Sequence, residues 1–172
     1  FHYFSKLWLY LYIISEMLWY DKIYLHKRVL LEIKIATEEE IKYCYELMHQ
    51  ANKSLSEKDF INTISEQIKN GYKLIYVIEN KEVICVTGFI ISQKLAWGKY
   101  LHIDDFVTNK SVKSTDAAKA LLDFIKIYAK QQECSSIHLD SSIQREEAHK
   151  FYLNENMKID SYHFSINIKW IH

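Results

Sequence analysis

The chain has 172 residues, enough for one domain with a full core and too few for two comfortable ones. Hydrophobic residues make up 49% and charged residues 26%, a balance that excludes a disordered chain. Lys plus Arg number 22, as do Asp plus Glu, so the formal net charge is zero and there is no electrostatic case for a nucleic-acid partner.

The first thirty residues differ from the rest. They are crowded with aromatics, and Leu7 to Ile14 is an unbroken apolar run. A spanning helix needs about 20 apolar residues, and Glu16 and Asp21 interrupt this run too soon. No small-residue cleavage site follows, which argues against a signal peptide. Residues 1–30 therefore read as a hydrophobic helical extension ahead of a domain over 31–172. The extension would pack on that domain or on a second copy of the chain, as a homodimer; membrane contact is the lesser reading.

Leu31 to Ala36 alternates with period two and predicts a strand. Thr37 followed by Glu38, Glu39 and Glu40 predicts a helix with a capping hydroxyl and acids in its first turn, placing Ile41, Cys44, Tyr45 and Met48 on one face. Ser56 to Asp59 opens a second helix, with Phe60, Ile64 and Ile68 at helical spacing, that stops at Asn70-Gly71. Tyr72 to Ile78 and Val83 to Ser92 read as a hairpin, and Lys99 to Val107 as a third strand. A helix follows from Ala117 to Gln131, then a strand Ser136 to Asp140, a helix Glu146 to Asn154, and strands near Met157 to Ser161 and His163 to Trp170. The order predicts an α/β fold, a mixed and mostly antiparallel sheet flanked by helices. Cys44, Cys85 and Cys134 lie far apart and odd in number, which predicts reduced thiols in a cytoplasmic protein. No histidine falls in a metal-ligand spacing, so no metal is expected, and His102, His138, His149 and His163 read as structural.

Three stretches carry a family likeness: Ile103-Asp-Asp-Phe-Val107, Lys113 through Leu122, and Gln144-Arg-Glu-Glu-Ala-His-Lys-Phe-Tyr152. With the element order, they resemble the GNAT superfamily of acetyl-CoA-dependent N-acetyltransferases over roughly residues 31 to 165. The resemblance implies a bulged central strand whose Phe106 and Val107 offer backbone N–H groups to the cofactor. It also implies a pyrophosphate loop of Lys113, Ser114, Thr115, Asp116, Ala117 and Ala118 at a helix N-terminus, where unpaired N–H groups and the helix dipole favour an anion. Tyr152 would be the general acid toward the thiolate of coenzyme A, and Asp104 or Asp105 the base. Strand alternation sends one of these two carboxylates toward the site and the other away, unless the bulge changes the count.

The loop departs from the family pattern (Gln/Arg)-x-x-Gly-x-(Gly/Ala). Lys113 keeps the charge and Ala118 is an accepted variant, but Asp116 stands where glycine is expected. Repulsion between this aspartate and a phosphate about 5 Å away is roughly 3 kcal/mol at an effective dielectric near 20, and under about 1 kcal/mol if the site is exposed. Arg145 likewise stands where many relatives have asparagine.

The expected function is transfer of acetyl from acetyl-CoA to a primary amine by direct attack in a ternary complex. The resemblance alone points to a small molecule as acceptor, held by the first two helices and the last strands with Tyr43, Tyr45 and Trp97 as aromatic walls. The competing expectation is a GNAT-fold binding or assembly protein weakened catalytically at Asp116.

Overall fold

The computed structural model describes residues 24–26, 29–109 and 115–168. The chain divides into two compact units, Phe1–His138 and Leu139–His172. Most of the helix expected over residues 1–30 lies outside the described residues. Where that segment is described it is extended rather than helical: β1 (Tyr24–His26) pairs antiparallel with β2 (Val29–Ile35).

Four antiparallel pairings carry the sheet from β1 through β2, β3 (Lys73–Glu79), β4 (Glu82–Lys94) and β5 (Gly98–Thr108), and β6 (Ser136–Leu139) completes the order. The β3–β4 turn is made by Asn80 at φ 50° and Lys81 at φ 71°. That is the left-handed pair a two-residue hairpin needs to match the twist of its strands.

The first helical segment begins with a 3-10 turn, Ile41–Cys44, and continues as α1 (Tyr45–Ala51). Its start is held differently from expectation. The Thr37 N–H donates to Glu40 Oε2 at 2.9 Å, so the acid caps the threonine backbone while no hydroxyl cap forms. That hydrogen bond holds the Glu40 carboxyl below its ordinary range. The Tyr76 hydroxyl, kept protonated by burial and then by the Glu40 charge, also bonds this carboxylate.

In α2 (Glu57–Lys69) the expected cap is present: Ser56 Oγ accepts from the Asp59 N–H at 3.1 Å. Ser56→Ala should therefore cost about 1 kcal/mol of stability, read as a lower denaturation midpoint at unchanged slope.

Ile41, Cys44, Leu47, Met48, Phe60 and Ile64 from these helices pack on Tyr72, Leu74, Tyr76, Val86 and Val107 of the sheet. The opposite face takes α3 (Thr115–Gln131), whose Tyr128 ring lies 5.2 Å from that of Phe89. Leu121, Leu122 and Ile125 are fully buried along α3. Burial pushes the Cys44 thiol up to about 12 and raises Cys85 as well, so both behave as small apolar side chains.

In the second unit, α4 (Glu146–Asn154) starts at Arg145 without a side-chain cap. It ends where the Met157 N–H reaches the Tyr152 carbonyl at 3.0 Å and Asn156 turns left-handed at φ 64°. The strands expected near 157–161 and 163–170 do not form in the described residues, since 157–168 carries no regular structure. Phe164, Ile166 and Ile168 alternate as a strand does, yet they stay exposed. Alternation supplies an apolar row, but a strand exists only where its N–H and C=O groups find a partner.

Candidate active site

The site begins with a count along β4 and β5. Val86 pairs with Val107, Thr87 with Phe106 and Gly88 with Asp105, but Phe89 pairs with Ile103. Asp104 is thus the extra residue of a β-bulge, within the stretch where the sequence suggested one. The bulge changes the alternation. Gly88 and Val86 lie on the face of α1 and α2, and their partners put Asp105 and Val107 on that face too. Across the bulge, Ile90 also packs on this face and is paired with His102. The Asp104 carboxylate turns back to the same histidine, with Oδ1 3.1 Å from His102 Nδ1. Both adjacent carboxylates therefore gather on one face, where an unbulged strand would have split them.

Asp105 is held from two sides. Its Oδ2 accepts from the Tyr72 hydroxyl at 3.1 Å, and its backbone carbonyl accepts from Thr87 Oγ1 at 2.8 Å. Tyr72 is 1% exposed. Its hydroxyl is raised far above the ordinary range by burial first and then by the Asp105 charge, so it remains a neutral donor. Neither Tyr72 nor Gly88 was singled out from the sequence. Gly88, alone inside the apolar run of β4, was the available signal, because interior strand glycines mark close approach.

Of the donors expected from Phe106 and Val107, regular pairing allows one to face away from β4, since successive residues of a ladder turn their N–H groups to opposite sides. Lys113 and Ser114 lie outside the described residues. Thr115 and Asp116 are exposed in the first turn of α3, while Ala117 and Ala118 are buried. Asp116 thus meets its own helix dipole favourably, in water.

The expected aromatic walls are differently employed. Tyr45 packs on Phe60, and its hydroxyl donates to the Leu55 carbonyl at 3.2 Å. Tyr43 is exposed. Trp97 belongs to a separate group, stacked on His138 at 3.8 Å and edge-on to Tyr100 at 5.2 Å. In the second unit Tyr152 is 9% exposed, with the Phe151 ring 5.5 Å away. Among the described residues no group of three or more His, Cys, Asp or Glu could hold a metal, and no helix is long and apolar enough to cross a membrane.

The acetyltransferase (GNAT) family model matches residues 38–155, more than half of the chain. The chain belongs to the GNAT family. A curated GNAT relative, the uncharacterized N-acetyltransferase YhdJ of Bacillus subtilis (strain 168), is 26% identical over 133 residues, covering 76% of this chain and 94% of its own. Solved structures share the GNAT fold. The aminoglycoside N-acetyltransferase AAC(6')-Iy, in complex with CoA, superposes with a TM-score of 0.74 at 10% identity, over 85% of this chain and all of its own. An acetyltransferase of Trypanosoma brucei gives 0.68 at 19%, over 80% of this chain and 99% of its own. The glucosamine-6-phosphate N-acetyltransferase of Arabidopsis thaliana gives 0.66 at 20%, over 81% and 99%.

Proposed function

We propose that this GNAT protein transfers an acetyl group from acetyl-CoA to a primary amine of a small molecule. The observation that carries the reading is the bulge at Asp104, which gathers two carboxylates on one face of the strand that leads into α3. Two negative charges side by side suit an ammonium group, and a carboxylate can take up its proton, directly or through a water. Names among the structures of like fold, for an aminoglycoside and for glucosamine-6-phosphate, incline the reading to a small amine.

The residues fit coenzyme A in two respects. The first turn of α3 is a helix N-terminus whose buried Ala117 and Ala118 carry no bulky side chain toward an anion there, with Thr115 and Asp116 exposed beside them; Lys113 and Ser114, just ahead in the sequence, complete the loop that the family resemblance assigns to the pyrophosphate. One of Phe106 and Val107 directs its N–H away from β4, where it can hold a pantetheine amide or polarise the thioester carbonyl. Acetyl-CoA supplies an acetyl group activated as a thioester, so no acyl-enzyme is needed; holding the amine beside it provides much of the rate. Asp105 or Asp104 accepts the proton that the nitrogen loses, and Tyr152 gives one to the departing sulfur. A cytoplasmic setting, where acetyl-CoA is available, agrees with the three free thiols.

Calorimetric titration of acetyl-CoA tests the reading. The parent should bind at micromolar concentration, and Asp116→Gly should bind more tightly by up to about fivefold, since the exposed charge is screened. Binding by the variant alone would favour a recognition protein closed by Asp116. No binding by either would end the acetyltransferase reading.

A further inference from the structure

Two tyrosines of the sheet, Tyr72 at the foot of β3 and Tyr76 four residues on, face α1 and α2 from within the core. Tyr76 spends its hydroxyl on the Glu40 carboxylate, which holds the entry to the first helical segment. Tyr72 does something less expected. Its side chain crosses β4 to reach Asp105 on the next strand, 33 residues along the chain. The route runs over Gly88, where any Cβ would coincide with the tyrosine hydroxyl and the ring carbon that bears it. Gly88 is also the cross-strand partner of Asp105, so the hydroxyl arrives above the pair that opens the bulge.

A glycine inside a strand loses side-chain packing and costs conformational entropy. Core packing alone does not require that sacrifice, since a shorter apolar side chain such as Leu in place of Tyr72 would fill core space without reaching over residue 88 to Asp105. The residue chosen brings a hydroxyl, fully desolvated, to a carboxylate, and a buried hydroxyl must find such a partner. The result separates the two neighbouring acids. Asp104 is the bulged residue and leans on the histidine two positions back, with its side chain 39% exposed. Asp105 is clamped at its carboxylate by Tyr72 and at its carbonyl by Thr87, which is wholly buried.

We propose that Tyr72 is a positioning residue for acetyl transfer: its hydroxyl, passing over Gly88, holds the Asp105 carboxylate in one orientation to receive the acceptor's amine. The inference rests on the acetyltransferase reading and deepens it by choosing Asp105 over Asp104. A neutral donor suits the task, because it fixes the carboxylate while leaving its negative charge to act on the ammonium. A lysine or arginine in that place would neutralise the charge.

The test uses the full chain, with Tyr72→Phe, Asp105→Asn and the double variant. Three-bond couplings from the Asp105 backbone to Cγ, measured by NMR without any substrate, should show one χ1 rotamer in the parent and averaging in Tyr72→Phe. With acetyl-CoA and a panel of primary amines, Tyr72→Phe should lower kcat by about tenfold to a hundredfold with the KM for acetyl-CoA unchanged. The double variant should be no slower than Asp105→Asn alone, because Tyr72 acts through Asp105. Unchanged couplings, an unchanged kcat, or losses that multiply in the double variant would each overturn the proposal. A structural role alone would lower the melting temperature without that non-additivity. If the parent fails to bind acetyl-CoA, the acetyltransferase reading falls and takes this role with it, whereas a fixed Asp105 rotamer lost in Tyr72→Phe would still report the clamp.

Discussion

Gly88→Ala should destabilise the fold by about 3 kcal/mol or more, at the upper end for overpacking in a core. The added methyl has no room, because its position is already that of the Tyr72 hydroxyl and ring. Neither side can yield cheaply: Gly88 is fixed by ladder pairing between β3 and β5, and Tyr72 is 1% exposed and tied to Asp105. Thermal or denaturant unfolding would measure the loss. The same clash predicts a rescue. In a Tyr72→Leu background the shorter side chain vacates the space over residue 88, so adding Gly88→Ala there should cost far less than in the parent. Equal costs in the two backgrounds would mean that the strain at Gly88 has another source.

Tyr152→Phe should lower kcat by about a hundredfold, the ordinary scale for loss of a general acid, while leaving acetyl-CoA affinity unchanged. Only the hydroxyl is removed, and the ring that packs edge-on to Phe151 stays. A melting temperature measured alongside separates a chemical role from a packing one: a loss of kcat in a protein that melts as the parent does belongs to the chemistry. Since the acid's work is to protonate the departing thiolate, a cosubstrate whose leaving thiol is more acidic than that of coenzyme A should narrow the difference between the two proteins. A kcat unchanged by the substitution would remove Tyr152 from the chemistry and leave it as a buried side chain on α4, at 9% exposure.

Much of the first unit was legible because its elements announce themselves locally. Ser56 before Glu57 and Asp59, and Asn70-Gly71 after Lys69, bracket α2 by chemistry that acts within four residues. The hairpin over β3 and β4 was readable for the same reason, from its two-residue turn at Asn80-Lys81; in the second unit the helix Glu146–Asn154, which has no side-chain cap, was readable through the family resemblance of its sequence. The C-terminal strands were not. Phe164, Ile166 and Ile168 have a strand's alternation, but pairing needs a second strand, and periodicity says nothing about whether one is there. The helical reading of the N-terminal segment met the same limit at Tyr24–His26, where pairing with β2 decides the local structure over an aromatic-rich sequence.

The candidate site divides along the same line. The family, the strand around Asp104 and Asp105, and the charge at Asp116 were all legible in the sequence, since residue types and their order along the chain are enough to specify these, and the bulge came with the family resemblance. Which way the acids face depends on the folded sheet, because one unmatched residue reverses the alternation and the mismatch exists only in relation to β4. The tertiary structure also brought Tyr72 to Asp105 across 33 residues. A hydrogen bond of that span leaves no spacing in the sequence. What makes it possible is the missing side chain of Gly88, on a strand that belongs to neither partner.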